Sequence, residues 1–411
     1  MTSMGCLCSL SMMNLNTKLW RRAKTVSCTV AMLPIALLMR LFSPFVLIRV
    51  GELRCNIIGH YVFDLEYYLA TKELTKAKGR DLFFLSHDHS VNQQWDEMVK
   101  RLVPVKKWYR YLFLASFLVP GGKVNRIAFA EGSRDRLGVL HKTKGHFSFT
   151  KDEQQLGVGF LRGLGIGPKD QFVCLIIRDS AYKRERSREL VEDKDWSYHD
   201  YRNSQIETYY GAIQELIEAG FWVFRMGKHV ETPLTYENPR VFDYAASSQQ
   251  NDFLDIWLMA NCRFCVSTCT GLDEVARAFR RPAAYINFLP IRNMVTYSPG
   301  VNAPKRLFWI GSGEELTLRE HLGASYLSGQ RYDDGGVAIR NLTPDEIRHV
   351  VREMIQRERG MWVSKPDSIN RQRQFWEILQ SHPEWDQFHG VVDPEVYISD
   401  YFIQKNVNWL R

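Results

Sequence analysis

Residues 172–177 read FVCLII, a near-continuous apolar run of the kind found in parallel sheets that are covered on both faces. Further short apolar runs follow it along the chain, at 221–224 (FWVF), 240–244 (RVFDY), 263–266 (RFCV) and 283–286 (AAYI). Amphipathic stretches with helical spacing separate these runs, at 204–219, 253–260 and 271–279. This alternation of strand and helix predicts a doubly wound α/β domain.

The chain before this domain shows the same alternation in a weaker form. Strand-like runs lie at 46–50 (VLIRV), 82–85 (LFFL) and 126–130 (RIAFA), and a helical pattern over 151–164 ends in the linker GLGIGPKD. We therefore predict four parts: an N-terminal segment (1–45), a first α/β domain (46–165), a second α/β domain (166–345) and a helical, aromatic tail that packs back on the domains (346–411).

Composition narrows the class of protein. The chain has 411 residues, of which 45% are apolar and 24% are charged, so it is neither disordered, fibrous nor polytopic in a membrane. The formal charge of +8 is too small to indicate a nucleic-acid partner. Residues 1–60 contain seven basic side chains and one acidic side chain, so most of the excess lies at the N-terminus.

The N-terminal segment has the pattern of a membrane tether. Residues 25–48 read TVSCTVAMLPIALLMRLFSPFVLI and follow a basic cluster. The uncharged part, 25–39, is shorter than the roughly 20 residues of a spanning helix, and Pro34 and Pro44 interrupt it. We favour an anchor that lies on or re-enters the bilayer, with a true span and a buried helix as alternatives. No good small-x-small cleavage site follows the apolar core, so we do not expect a cleaved signal peptide.

Eight cysteines are present, and a chain of this length does not need disulfides to fold. Cys262, Cys265 and Cys269 lack a fourth ligand at zinc spacing. Buried free thiols in a reducing compartment are the simpler interpretation, and we expect no metal site.

The candidate binding residues follow the strands of the second domain, because ligands of open α/β sheets bind beyond the carboxyl ends of the strands. They are Arg178, Asp179, Ser180 and Tyr182 after the first strand, Arg225, Gly227 and Lys228 after the second, and Ser267, Thr268, Thr270 and Gly271 after the fourth.

This set of residue types suits a pyrophosphate. The hydroxyls precede a helix whose free N–H groups attract an anion, and Gly271 permits close backbone approach. Arg178 and Arg225 can bind phosphate oxygens in a fork, and Lys228 adds a mobile charge. Any one of these motifs alone is more often an ordinary helix cap or a surface arginine.

Several of these stretches, in this order, resemble a bacterial family of surface-polysaccharide glycosyltransferases. The resemblance runs from about residue 46 to the C-terminus and rests on RDSAY at 178–182, YRNS at 201–204, RMG at 225–227, residues 264–271, Ile58-Gly59-His60 with Asp64 and Glu66, and the closing KNVNWL. The strand-ending arginine, Asp255, and Ser267 with Thr268 also resemble the donor site of GT-B fucosyltransferases. Ile57 stands where the family has arginine.

The resemblance implies two Rossmann-like domains that face each other across a cleft, a GT-B arrangement. The C-terminal domain would bind a nucleotide-sugar and the N-terminal domain the acceptor. Asn203, which opens the helix after the RDS loop, joins the candidate donor site. Asp252 and Asp255 either reach a ribose or cap the following helix.

The candidate general base is His60, which ends a strand–glycine turn and has a suitable intrinsic pKa. Asp64, one helical turn later, would orient it. A purely structural histidine is the alternative, and His87-Asp88-His89 is a second candidate set.

The sequence therefore predicts a membrane-associated glycosyltransferase at the cytoplasmic face of the inner membrane. It would transfer a hexosyl- or fucosyl-type sugar from a nucleotide-sugar to a surface glycan or a lipid-linked precursor. Arg178, Arg225 and the helix N-terminus would neutralise the leaving diphosphate, so neither a metal nor another cofactor is expected. The alternatives are a pyruvyl transferase on the same scaffold and a non-catalytic, membrane-docked sugar-nucleotide-binding protein.

Overall fold

The computed structural model describes residues 19–20, 22–129, 131–182, 184–185, 197–323 and 329–411. The chain divides into two compact units, each made of several segments. The first, unit 1, comprises residues 1–56, 75–91 and 96–129, and the second, unit 2, comprises residues 57–74, 92–95 and 130–411. The residue pieces 57–74 and 92–95 thus interrupt unit 1 in sequence but belong to unit 2.

The helices of the described residues are α1 (Arg22–Ala31), α2 (Leu33–Leu41), α3 (Ile58–Thr75), α4 (Gln93–Leu102), α5 (Tyr109–Leu118), α6 (Val139–Lys142), α7 (Lys151–Gly163), α8 (Tyr210–Glu218), α9 (Asp252–Asn261), α10 (Asp273–Ala278), α11 (Leu318–Gly323), α12 (Gly329–Asp334), α13 (Pro344–Glu358), α14 (Pro366–Gln380), α15 (Trp385–Phe388) and α16 (Asp400–Lys405). Capping boxes begin α7 and α13, the latter at Thr343 and Glu346.

Unit 1 contains a two-stranded parallel sheet of β1 (Ile48–Leu53) and β2 (Arg80–Leu85). Single parallel bridges join Val50 to Arg126 and Phe83 to Val105 at its two sides. The predicted strand at 126–130 is therefore reduced to one bridge, and the described part of unit 1 holds a small sheet where the sequence predicts a full Rossmann-like one. Helices α2 and α5 pack on it.

No single described helix is both long and apolar enough to cross a bilayer. Helices α1 and α2 reach the length and hydropathy of a span only as a pair, and they are bent by 41° relative to each other. The first 18 residues and Arg21, which include part of the basic cluster, lie outside the described residues.

Unit 2 is built on a parallel sheet of seven strands. They are β3 (Phe172–Ile176), β4 (Trp222–Met226), β5 (Val241–Phe242), β6 (Cys265–Ser267), β7 (Ala283–Phe288), β8 (Gly300–Pro304) and β11 (Val396–Ile398). Their order across the sheet is β11-β8-β7-β6-β3-β4-β5. A separate antiparallel pair consists of β9 (Arg306–Trp309) and β10 (Val337–Arg340).

The α/β class with a parallel sheet is confirmed, and all five predicted strands of this sheet are present. Strands β8 and β11 were not predicted. All five residues of β8, GVNAP, are buried, but glycine, asparagine and proline hide the apolar signature of a central strand. Strand β11 is the contribution of the C-terminal tail, and it pairs with β8 at the edge of the sheet.

Candidate functional site

The candidate site lies at the carboxyl ends of β3, β4 and β6, which meet at one edge of the sheet because the strands are parallel. Two hydrogen bonds fix the backbone of Arg178 there. Its N–H donates to Thr268 Oγ1 at 2.9 Å, and its carbonyl accepts from the N–H of Ser204 at 2.9 Å. The loops after β3 and β6 are thereby joined at Arg178.

Three basic side chains gather at this junction. Arg202 donates to the carbonyl of Cys269 at 2.7 Å, and Lys305 Nζ donates to the carbonyl of Asn203 at 2.6 Å. Lys305 is only 2% exposed. Together with Arg178 they form what we call the cation cluster, and within the described part of the chain none of the three forms an ion pair with a carboxylate.

Burial and mutual repulsion shift the pKa values of the cluster downward. Burial, together with the nearby charge of Arg202, lowers the pKa of Arg178 to about 10. Burial also lowers the pKa of Lys305 to about 7, with contributions from both arginines. Such an arrangement carries uncompensated positive charge in a partly dehydrated place, which an anion would stabilise.

Three buried polar atoms beside the cluster have no hydrogen-bond partner in the described residues. They are Nε of Arg178, Oγ of Ser204 and Oγ1 of Thr270. Most buried polar groups are satisfied in folded proteins, so unsatisfied groups beside a cluster of cations fit a site for an anionic ligand.

The loop between β6 and α10 is held from within. Ser267 is fully buried and its hydroxyl donates to Asp273 Oδ2 at 2.6 Å, while the N–H of Thr270 donates to the same oxygen at 2.8 Å. Cys269 takes a positive φ of 61° in this loop. Ser267 and Asp273 thus shape the loop, and the carboxylate occupies the position at the helix start where an anion was expected.

A second group of predicted residues lines a cavity of about 380 Å³ at the ends of β3 and β4. Asp179, Asn203 and Arg225 face it, with Ser204 and Glu231. Arg225 is 1% exposed and its guanidinium lies 3.4 Å from Asp243 and 3.9 Å from Asp179. The carboxylates fix this arginine as part of the cavity wall.

The remaining predicted residues lie around these two groups. The Ser180 hydroxyl donates to Glu231 at 3.1 Å, and the ring of Tyr182 stacks on His229. The carbonyl of Gly227, which has a φ of 150°, accepts from Gln250.

Asp252 and Asp255, the two candidate ribose ligands, both have partners within the protein. Lys228 lies 3.5 Å from Asp252. Asp255 accepts from the hydroxyl of Tyr244 at 2.8 Å, and burial raises its pKa to about 6. Asn251, rather than either aspartate, caps α9.

The candidate base and its orienting carboxylate are joined through a third residue. Ser133 Oγ donates to Asp64 Oδ1 at 2.7 Å and lies 2.5 Å from His60 Nδ1. An ionised carboxylate can only accept, so the single hydroxyl proton of Ser133 goes to Asp64 and His60 Nδ1 must donate to Ser133. This tautomer makes Nε2 the basic nitrogen of His60, as a general base requires.

The backbone just before His60 closely approaches the loop after β6. A Cβ at Gly59 would lie 3.0 Å from the Cα of Gly271, and a Cβ at Gly271 would lie 3.1 Å from the N of Gly59. Two glycines therefore let the first turn of α3, which bears His60, contact the loop that follows Thr268.

Glu274 lies in the same contact and is 12% exposed. Burial raises its pKa to about 7, Arg277 opposes that shift, and the carboxylates of Asp273 and Asp64 add to it. Arg277, paired with both acids of α10, compensates this buried charge.

Sequence reasoning missed Arg202, Lys305 and Ser133. Arg202 could have been found, because it lies within the YRNS stretch that the sequence analysis singles out. Lys305 could not, because it follows a strand that was not predicted. Ser133 follows Gly132 in a turn with positive φ at both residues, which leaves no periodic pattern. Among the described residues, no three His, Cys, Asp or Glu side chains converge as metal ligands would.

No protein-family model matches the chain, and no curated protein matches it significantly. Among similar solved structures, a glycosyl transferase family 9 protein from Veillonella parvula is 10% identical, with a TM-score of 0.39 over 62% of this chain and 85% of that one. ADP-heptose LPS heptosyltransferase II of E. coli is 10% identical, with a TM-score of 0.39 over 76% of this chain and 100% of that one. The E. coli heptosyltransferase WaaC with ADP is 12% identical, with a TM-score of 0.29 over 62% and 91%. These likenesses are remote, and the function proposed below rests on the residues of this chain.

Proposed function

We propose that this chain is a glycosyltransferase of the GT-B type that takes a nucleotide-sugar donor without a metal ion. Its acceptor is a surface glycan or a lipid-linked glycan precursor. The observation that carries the proposal is the cation cluster of Arg178, Arg202 and Lys305, which lies without a paired carboxylate among the described residues at the carboxyl edge of a parallel sheet. A diphosphate supplies the negative charge that this place lacks.

The donor's diphosphate would bind at the cation cluster. The unsatisfied Nε of Arg178 and Oγ1 of Thr270 would donate to its oxygens, and the buried charge of Lys305 would return as the anion arrives. During transfer, the leaving nucleoside diphosphate gains charge, and fixed cations that stabilise it need no reorganisation. This arrangement takes over the task of a divalent ion.

The nucleoside would occupy the adjacent cavity of about 380 Å³. Ile177 and Asp179, which flank Arg178 in sequence, both line that cavity. Carboxylates such as Asp179 and Glu231 accept hydrogen bonds from ribose hydroxyls, and the volume falls in the range of small-molecule sites, about 300–1,000 Å³.

His60 would act as the base. In an inverting transfer, Nε2 would take the proton of the acceptor hydroxyl as that oxygen attacks the anomeric carbon and the bond to the diphosphate breaks. Asp64 acts through Ser133, which holds the imidazole in the required tautomer. His60 is thus the catalytic residue, and Ser133 and Asp64 are positioning residues.

We also propose that the enzyme works at the cytoplasmic face of the inner membrane and that its N-terminal segment is the tether. Exposed apolar side chains on α1 and α2, including Val26, Leu38 and Leu41, support this. The basic residues that precede and follow them would contact anionic lipid headgroups.

A thermal-shift titration tests the donor site. The full chain is titrated with UDP, GDP, ADP and CMP, their sugar conjugates and phosphoenolpyruvate, each with and without EDTA. A ligand at 100 times its Kd adds about 2.7 kcal/mol of stability. We expect one nucleoside diphosphate to stabilise the protein equally with EDTA, and Lys305→Met to abolish that shift while the exposed-residue control Lys169→Met retains it. Stabilisation by phosphoenolpyruvate alone would indicate a pyruvyl transferase, and silence from every ligand would contradict a donor site at the cation cluster.

A further inference from the structure

Unit 1 differs sharply in charge from the rest of the chain. Its segments contain 17 basic and 5 acidic side chains, whereas unit 2 contains 37 basic and 41 acidic ones. The excess is not confined to the N-terminal segment, because residues 98–130 include seven basic side chains and no acidic one. Unit 1 is therefore a small basic body attached to an acidic one in sequence.

The end of α5 and the turn after it combine this charge with exposed apolar side chains. Phe117 is 59% exposed, Leu118 is 63% exposed and Val124 is 47% exposed. The segment 117–126 reads FLVPGGKVNR, so Lys123 and Arg126 flank the apolar groups. We call these ten residues the α5 turn.

The cationic and apolar groups of the α5 turn are in contact. The guanidinium carbon of Arg126 lies 3.8 Å from the centroid of the Phe117 ring. An exposed aromatic side chain under a cation is suited to the boundary between headgroups and acyl chains, where the ring enters the apolar layer and the charge stays among phosphates.

The α5 turn is continuous with the N-terminal helices. Ala36 of α2 packs against Ala115 and Val119 at the end of α5, and Met32 and Leu33 pack beside them. Gly121, with a φ of 70°, lies under the Arg40 side chain, whose Nε is 2.7 Å from the place of an added Cβ. The exposed apolar groups of α2 and of the α5 turn therefore belong to adjoining elements of one unit.

We infer that the α5 turn is a second lipid-binding element, so that unit 1 as a whole docks on an anionic bilayer in addition to its N-terminal tether. This inference rests on the membrane location proposed above. Charge complementarity selects the occupant: a bilayer rich in anionic headgroups attracts an excess of twelve positive charges, while a second copy of the same basic face would be repelled.

Co-sedimentation with vesicles tests the inference on the full chain. One set of vesicles is phosphatidylcholine alone, and the other contains equal parts of phosphatidylcholine and phosphatidylglycerol. The variant carries Phe117→Asp and Leu118→Asp. Its matched control carries Leu156→Asp and Val158→Asp on α7 of unit 2, where the side chains are comparably exposed.

We expect the wild-type chain and the control to bind the phosphatidylglycerol vesicles. The α5-turn variant should bind them at least about tenfold more weakly, because burying two apolar side chains contributes more free energy than a tenfold change in affinity requires. Raising the salt from about 0.1 M to about 1 M shortens the screening length from about 10 Å to about 3 Å and should weaken wild-type binding. Equal vesicle binding by variant and control would overturn the inference.

Two further measurements separate the possible failures. The nucleotide-induced thermal shift of the α5-turn variant should equal that of the wild-type chain, so loss of vesicle binding cannot arise from a lost donor site. Sedimentation velocity without lipid detects self-association. If the wild-type chain forms a dimer, the α5-turn variant does not, and both bind vesicles equally, then the α5 turn is an interface between copies and not a lipid-binding element. Should the double variant fail to fold, Lys123→Glu, at an exposed position within the α5 turn, probes the same surface through its charge.

Discussion

His60 Nδ1 lies 2.5 Å from the hydroxyl oxygen of Ser133, a residue 73 positions further along the chain. The Ser133 hydroxyl donates to Asp64 Oδ1 at 2.7 Å, so this hydroxyl links the imidazole to the carboxylate. The arrangement resolves the two nitrogens of His60 into a donor, Nδ1, and a base, Nε2.

The relay predicts a graded loss of transfer. His60→Gln should lower kcat by about 10²–10⁴-fold, the usual contribution of a general base, and leave the affinity for the donor unchanged. Ser133→Ala removes one hydrogen bond of a charged network, which contributes about 1.5–3 kcal/mol, so kcat should fall by roughly 10- to 100-fold. Turnover of the stabilising nucleotide-sugar is the measurement.

Ser133→Thr is the matched control, because it keeps the hydroxyl and should retain most of the activity. The Ser133→Ala variant should also change the pH profile of kcat, since the base is no longer held in one tautomer. An Ala variant with the wild-type rate and pH profile would remove Ser133 and Asp64 from the mechanism.

Replacing Lys305 should raise the thermal stability of the donor-free protein and weaken its binding of the diphosphate. Lys305→Met removes a buried amine that is only 2% exposed, so the donor-free protein should gain thermal stability. The same change removes a ligand of the diphosphate, so the Kd for inorganic pyrophosphate and for the donor should rise. Differential scanning fluorimetry with and without pyrophosphate reads both effects, with Lys169→Met as the exposed control.

The pH dependence of the Lys305 contribution has a definite sign. The folded pKa of Lys305 is about 7 and the ordinary value is 10.5, so between these values the unfolded chain binds a proton that the folded one does not. Stability of the donor-free protein should therefore rise with pH across this window, and the rise should be smaller in Lys305→Met. Pyrophosphate affinity should fall by up to about tenfold per pH unit above 7, as the amine loses its charge. A pH-independent Kd would contradict a charged Lys305 in the site.

Replacing Arg178 and replacing Arg225 should have different effects, because the first binds the donor and the second supports the wall of the cavity. Arg178→Ala removes a cation that no carboxylate pairs in the described structure, so the fold should persist and donor affinity should fall by roughly 10- to 100-fold. Arg225→Ala leaves Asp179 and Asp243 without their buried partner and should cost about 3–5 kcal/mol of stability. Unfolding in urea together with nucleotide titration distinguishes the two results, and equal stability of both variants would contradict the division.

The sheet of unit 2 was predictable because β3 is apolar in every residue, and β4 and β7 are interrupted only by Arg225 and Asn287. Strand β8 was not, because Gly300, Asn302 and Pro304 are buried for reasons of packing and pairing that composition does not reveal. Lys305 directly follows that strand, so the residue that completes the cation cluster was missed with it.

The candidate site was only partly visible for a related reason. Arg178, Arg225 and the β6 loop could be assigned to one edge by topology, since each ends a parallel strand. Topology does not say which way each side chain points, and the structure divides them between the cation cluster and the adjacent cavity. Ser133 comes from an irregular turn, and its contact with His60 spans a sequence distance that no local pattern encodes.

The contact between Gly59 and Gly271 predicts a variant that lowers activity without touching a catalytic group. A Cβ at Gly59 would lie 3.0 Å from the Cα of Gly271, tighter than most such contacts, and the backbone of Gly271 would have to shift because it cannot rotate away as a side chain does. Gly59→Ala should therefore move His60 relative to the β6 loop and lower kcat by about 10²-fold, as small misplacements of a catalytic group do. Gly211→Ala is the matched control, because its added Cβ would meet only the flexible side chain of Arg348 at 3.5 Å. Donor-induced thermal shifts should be retained in both variants, whose sugar-transfer rates should differ. Wild-type turnover in Gly59→Ala would show that the close approach of α3 to the β6 loop is not needed to place the base.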